Sequence, residues 1–286
     1  MTSNVLPLFW PLSNSSKETR ITASASLVSS LESFQRSFSQ NAGSSKGKES
    51  EDGDEDEESA SDSEESAMEV DASDDEEGKD EKDSQAAKLD RQLSKDNAED
   101  VVYSVKRLVR GLGSSRENSR LGFAVALTEV IIIHQKLVFI LIFSQLLSRI
   151  PTVTARQVFS LVIRNSQYSK NMKGSDERDM MFARLFGMTA IVQSQSLFAP
   201  SATKDDFRGV IEELEKLGQA KAWMRESAWW TLVQSVLLLL GSKVQWKEDA
   251  LHEVIDVVFE EKGWTQEKVA LVLTLEQSGI VSMSLL

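Results

Sequence analysis

The chain has 286 residues, of which 41% are hydrophobic; it has no cysteine, four prolines and a net charge of −13. The apolar content suffices for one or two domains with a core. The absence of cysteine excludes disulfides, thiolate metal sites and cysteine nucleophiles, and fits a reducing compartment. The charge is unevenly spread: Glu49–Asp83 holds 20 acidic residues against two lysines, a net of −18, which leaves +5 for the rest.

The opening MTSNVLPLFWPL lacks a positive n-region, and Pro7 and Pro11 interrupt its apolar stretch, so it does not read as a secretory signal. Glu18 and Glu32 argue against a transit peptide. A helix is predicted over 15–38. Ser15 and Glu18 have capping-box spacing, and Leu27, Leu31, Phe34 and Phe38 recur every three to four positions. Residues 41–95 carry almost no large apolar side chains and cannot offset the ordering entropy, so 41–96 reads as a disordered acidic insertion. Within it Ser59, Ser61, Ser66 and Ser73 each precede an acidic residue by three positions, the pattern acid-directed kinases favour. Such a tract either attracts basic partners or serves as a solubilising linker.

Helical periodicity resumes near Asn97. Val101, Val105, Leu108 and Leu112 form one stripe, with Gly111 and Gly113 as the stop. Ser114 and Glu117 form a second capping-box pattern, followed by Leu121, Ala124, Val125 and Thr128 on one face. After Pro151, Thr154 caps a helix over 155–164, and Ser175 caps one carrying Met181, Leu185 and Met188. Phe207, Val210, Ile211, Leu214 and Leu217 mark the next, ended by Gly218, and 222–240 another. Leu251, Val254, Ile255 and Val258 mark one closed by Gly263. Thr265 caps the last, with Trp264 and Val269 at the positions of a hydrophobic staple. No segment alternates with period two. The expected fold is therefore all-α, a solenoid of stacked helical hairpins with 1–40 as its first element and 97–286 as its body. An internal repeat supports this: SSKETRITASASL at 15–27 resembles SSRENSRLGFAVAL at 114–127, with one inserted residue.

Little points to catalysis. His134 and His252 are the only histidines, and HEVID at 252–256 lacks the second histidine of a zinc helix. GLGSSRENSR at 111–120 has no third glycine, no P-loop lysine and no preceding strand. No enzyme, cofactor, metal or small-molecule substrate is expected. Lys106, Arg107, Arg110, Arg116 and Arg120 cluster around one helix turn. They form a contact for nucleic-acid phosphates or an acidic partner, or else an ordinary solvated face, or the place where the chain's own acidic tract lies back. Trp223, Trp229 and Trp230 read as core or hairpin contacts rather than a binding pocket.

Four blocks resemble the DNA polymerase V / Myb-binding protein 1A family: YSVKRLVRGLGSSRENSRLGFAVALTE at 103–129, SDERDMMFARLFGMTAIVQSQSLF at 175–198, KAWMRESAWWTL at 221–232 and KGWTQEKVALVLTLE at 262–276. LPLFWPLSNSSKETR at 6–20 is similar to its N-terminal opening. The resemblance implies an armadillo-like helical fold in the nucleus and nucleolus, and roles in ribosomal RNA transcription and ribosome biogenesis. It also implies association with rDNA chromatin. Nothing in the chain resembles a polymerase palm, so nucleotide transfer is not carried over. Family members are much longer, so the likeness is to an N-terminal portion. Val130–Gln145 interrupts the family pattern; without it the chain reads ALTE-LLSRIPTVTARQV, a continuous amphipathic helix. It has the form of a short intron translated in frame, the other readings being a buried helix or a membrane span. His134, Gln135 and Lys136 disfavour a span. The ending SGIVSMSLL also departs from the family's charged continuation. The expected function is a non-enzymatic scaffold that binds basic nuclear or ribosome-assembly proteins. A DNA-binding regulator using the basic turn is the alternative, and a polymerase-type enzyme a more distant one.

Overall fold

The computed structural model describes residues 5–45, 76–131, 150, 152–168, 171–259 and 264–277. Among them the regular structure is entirely helical. The helices are α1 (Leu6–Phe9), α2 (Lys17–Ser45), α3 (Glu76–Asp96), α4 (Glu99–Gly111), α5 (Glu117–Ile131), α6 (Ala155–Asn165), α7 (Gly174–Gln193), α8 (Lys204–Ala220), α9 (Ala222–Gly241), α10 (Lys247–Phe259) and α11 (Gln266–Gln277). A 3₁₀ turn over Trp10–Ser13 follows α1, and another over Ser196–Phe198 follows α7.

The helices alternate between two layers. In one, α2, α5, α7, α9 and α11 pack in succession; in the other, α4, α6, α8 and α10 do so, with α3 laid against α4 and α6. The pairs α4–α5, α6–α7 and α8–α9 join the layers as hairpins, and one apolar core runs between them. Side-chain contacts set the direction within each layer. Arg156 of α6 meets Asp206 at the start of α8, and three residues on, Phe159 faces Gly209. Phe182 of α7 lies 5.3 Å from Trp223 of α9, and seven residues on, the Thr189 hydroxyl is 3.2 Å from that of Thr231. The pairs α6–α8 and α7–α9, one in each layer, are thus parallel.

The internal repeat is realised in the backbone, with a spacing of 100. The Asn14 side chain accepts from the Ser16 N–H and the Ser114 hydroxyl from the Arg116 N–H, each closing a turn before a helix that starts at Lys17 or Glu117. The guanidinium of Arg20 then donates to the Asn14 carbonyl, and that of Arg120 to the Ser114 carbonyl, each at 2.8 Å. Leu27 and Leu127 are both fully buried. Gly122 allows a close approach, its missing Cβ leaving room for the Leu12 backbone. The α2 cap is Ser16, not Ser15: its hydroxyl accepts from Thr19 N–H and donates to Glu18. The backbone N–H of Glu18 and that hydroxyl hold the Glu18 carboxyl below its ordinary value. Its contribution is therefore present above the usual carboxylate range and fades as the pH falls through the lowered value.

Other start and stop expectations divide. Thr154 caps α6 as expected, in a capping box completed by Gln157, and Thr265 accepts from Lys268 N–H as expected. Thr203 forms a capping box with Asp206 that the sequence reading did not single out. Ser175 does not cap α7, which begins one residue earlier. Gly218 is no stop: α8 runs on to Ala220, and the glycine makes room for the indole edge of Trp229. The N-terminal segment also differs from a broken apolar stretch. Pro7 and Pro11 occupy first-turn positions, where their missing N–H costs nothing, and Val5, Phe9 and Leu12 are buried.

The largest correction concerns 41–96. Helix α2 continues to Ser45, and 76–96 form α3, within the stretch expected to be disordered. Ala86, Leu89 and Leu93 line a narrow interface with Gln157, Ser160 and Leu161 of α6, and Leu93 is fully buried. Three apolar residues at i, i+3 and i+7 suffice because an existing helical face receives them. Residues 46–75, with Ser59, Ser61, Ser66 and Ser73, lie outside the described residues, as does nearly all of 130–145; of that segment Val130 is buried at the end of α5.

A buried polar node closes this end of the fold. The Gln35 amide donates to the Asp96 carbonyl at 2.9 Å and accepts from the Ala98 N–H at 2.8 Å. Asn97 donates to the Leu93 carbonyl and accepts from the Thr152 hydroxyl. Gln35 and Asn97 are 7% and 1% exposed. Replacing Gln35 with alanine strands two backbone groups in the interior, so the urea-unfolding free energy is expected to fall by about 1–3 kcal/mol.

Candidate interaction surface

The basic turn is built by the end of α4, the following loop and the first turn of α5. The structure divides its five residues. Lys106 forms an ion pair with Asp90 of α3 at 2.9 Å. Arg107 lies 4.8 Å over the Phe9 ring and donates to the Tyr103 hydroxyl. Arg120 is buried: it pairs with Asp179 of α7 at 2.8 Å and stacks 4.8 Å over Phe182. Arg110 and Arg116 are exposed. The turn therefore offers solvent two free-facing guanidiniums, while Lys106, Arg107 and Arg120 tie it to three other elements. Asp90 reaches the turn from just beyond the acidic run, so part of the idea of an acidic segment lying back on it is realised by α3.

Sequence reasoning did not find a second arginine of this kind. Arg184 of α7 donates to Glu213 of α8 at 3.0 Å, to the Ser166 hydroxyl, and to the Ile163 and Ser166 carbonyls at the end of α6. It also sits 5.0 Å over the Tyr168 ring. One side chain joins three helices and satisfies carbonyls that α6 leaves open. An arginine in the middle of an apolar helix was the only trace of this role in the sequence.

The tryptophans separate as well. Trp229 is buried as expected, whereas Trp223 and Trp230 are 49% and 65% exposed. His252 is exposed on α10, and His134 lies outside the described residues. Among the described residues no three His, Asp or Glu side chains converge as metal ligands, and no helix is long and apolar enough to cross a membrane.

Among the described residues the fold is two layers of helices, with Arg110 and Arg116 exposed on the basic turn and Trp223 and Trp230 exposed on α9. The chain belongs to the DNA polymerase phi family, whose model matches residues 103–284. This is the family that the blocks at 103–129, 175–198, 221–232 and 262–276 resembled; the opening at 6–20 lies outside the matched range. Two curated relatives are similar. One is the rDNA transcriptional regulator pol5 of Schizosaccharomyces pombe, 37% identical over 54% of this chain and 14% of its own length. The other is the rDNA transcriptional regulator POL5 of Saccharomyces cerevisiae, 30% identical over 66% of this chain and 19% of its own. The chain thus spans less than a fifth of the curated relatives it matches, and both are named as regulators of transcription, not as polymerases. No solved structure matches.

Proposed function

We propose that this chain is an armadillo/HEAT-like solenoid segment of a nuclear, nucleolar regulator of rDNA transcription and ribosome biogenesis, and that it acts as a non-enzymatic scaffold. The observation that carries the solenoid is the parallel packing of α6 with α8 and of α7 with α9, one pair in each layer. It supports a stack in which the α8–α9 hairpin repeats the direction of α6–α7. The names of the two relatives support the process. Basic nuclear or ribosome-assembly proteins are the partners that fit the acidic Glu49–Asp83 run. The test is capture of basic proteins from nuclei by the chain with and without 49–83; equal capture by both rejects the scaffold reading.

A second reading, direct contact with rDNA, rests on the exposed Arg110 and Arg116. Changing these two to alanine spares the internal contacts of Lys106, Arg107 and Arg120, so the fold is expected to survive. If the turn binds DNA, affinity falls and the slope of log K against log salt drops by about two, roughly one per lost phosphate contact. Salt titrations of rDNA binding for both proteins measure this.

A further inference from the structure

Trp223, Trp230 and Leu237 stand seven residues apart on α9 and are 49%, 65% and 43% exposed, while Met224, Ala228, Trp229, Leu232, Val236 and Leu239 of the same helix are buried. A spacing of seven drifts only about 20° per step, so the three form one outward seam along a helix that already buries its other side. The neighbouring helix α11 exposes Val269 and Leu273. Large exposed apolar side chains lie mostly on this layer, on α2, α5, α9 and α11; in the other layer, among the described residues, only Tyr103 of α4 is of this kind.

We infer that this seam is a self-association surface whose occupant is the α9 seam of a second copy, running antiparallel. The seam is symmetric about Trp230. A two-fold axis there sets Trp230 against its counterpart, and Trp223 against Leu237 in both directions, the reciprocity an isologous interface demands. The polar positions between them agree: Glu226 comes opposite Gln234, so no like charges meet in the seam. The area also fits. An indole presents up to about 250 Å², so the three side chains expose roughly 350 Å² per copy. With Val269, Leu273 and the flanking atoms the two copies cover on the order of 1,000 Å², the lower bound for a specific contact. The dimer is therefore weak, with dissociation in the micromolar range. Because each copy carries a net −13, association strengthens as salt screens the repulsion.

Sedimentation equilibrium of the full chain reads this directly. The mass is expected to rise above 31.8 kDa towards twice that value with concentration, and more so at higher salt. Trp230→Lys and, independently, Leu237→Lys are expected to hold it at the monomer value with unchanged helix content, since both side chains face solvent. The chain has no cysteine, so orientation is tested with single thiols: Glu226→Cys mixed with Gln234→Cys is expected to cross-link on oxidation far more than either variant alone. A chain that stays monomeric up to about 200 μM overturns the inference. So does a dimer indifferent to both lysine variants, or one in which each cysteine variant cross-links best with itself.

Discussion

Arg120→Met is expected to lower the unfolding free energy by about 3–5 kcal/mol. Its side chain and that of Asp179 are 10% and 11% exposed, and the pair closes at 2.8 Å between α5 and α7. Removing the cation leaves a carboxylate in a setting that water barely reaches. It also takes away the donor to the Ser114 carbonyl and the contact over Phe182. The sign is expected to reverse on removing the second charge: Arg120→Met with Asp179→Leu is expected to recover most of the loss, because two matched apolar groups no longer carry the desolvation cost. Urea unfolding of the single and double variants measures the coupling. An Arg120→Met effect below about 1 kcal/mol would place the pair among solvated surface bridges.

Gly122→Val has a different signature. A Cβ at this position would overlap the Leu12 carbonyl oxygen and come within 2.8 Å of the Leu12 carbonyl carbon. Two responses are open. The segment stays seated and the strain costs about 1–3 kcal/mol, or residues 5–13 come away from α5. Release forfeits the burial of Val5, Phe9 and Leu12 but returns the backbone entropy of the freed residues. The two oppose each other, so the loss of global stability is capped and the local change is large. Limited proteolysis is expected to cut the variant near Phe9 and Leu12 and leave the parent intact there; equal resistance in both, together with an unchanged urea-unfolding free energy, would refute the close contact.

What the sequence announced and what it hid follow from the same physics. Helices α4, α6 and α8 carry an apolar stripe on a polar background, so their period was plain, and the Thr154 cap was legible because a hydroxyl directly before an apolar-periodic run is a local arrangement. Helix α3 was missed because its charged residues outnumber its apolar ones; only the waiting surface of α6 makes Ala86, Leu89 and Leu93 sufficient. Gly218 misled because a glycine near a helix end usually marks a terminus, whereas here it serves a ring from the next helix. The basic turn was visible as a cluster, but its division into buried, stacked and exposed members depends on Asp90, Phe9 and Asp179, which lie far off in the chain. Trp230 was hidden beside Trp229, since adjacent helical positions differ by 100° and one stripe of letters faces both ways.

The Gln35–Asn97–Thr152 node has a consequence for how this family can vary. It fastens α2 to the entrance of α4 and to the approach to α6, joining residues that precede and follow 46–75 and 132–149 in the chain. With those residues held together, lengthening the chain between them is expected to cost a closure entropy of about 0.6 kcal/mol per doubling. A change in the number of residues in the acidic run is therefore expected to leave the register of the stack intact.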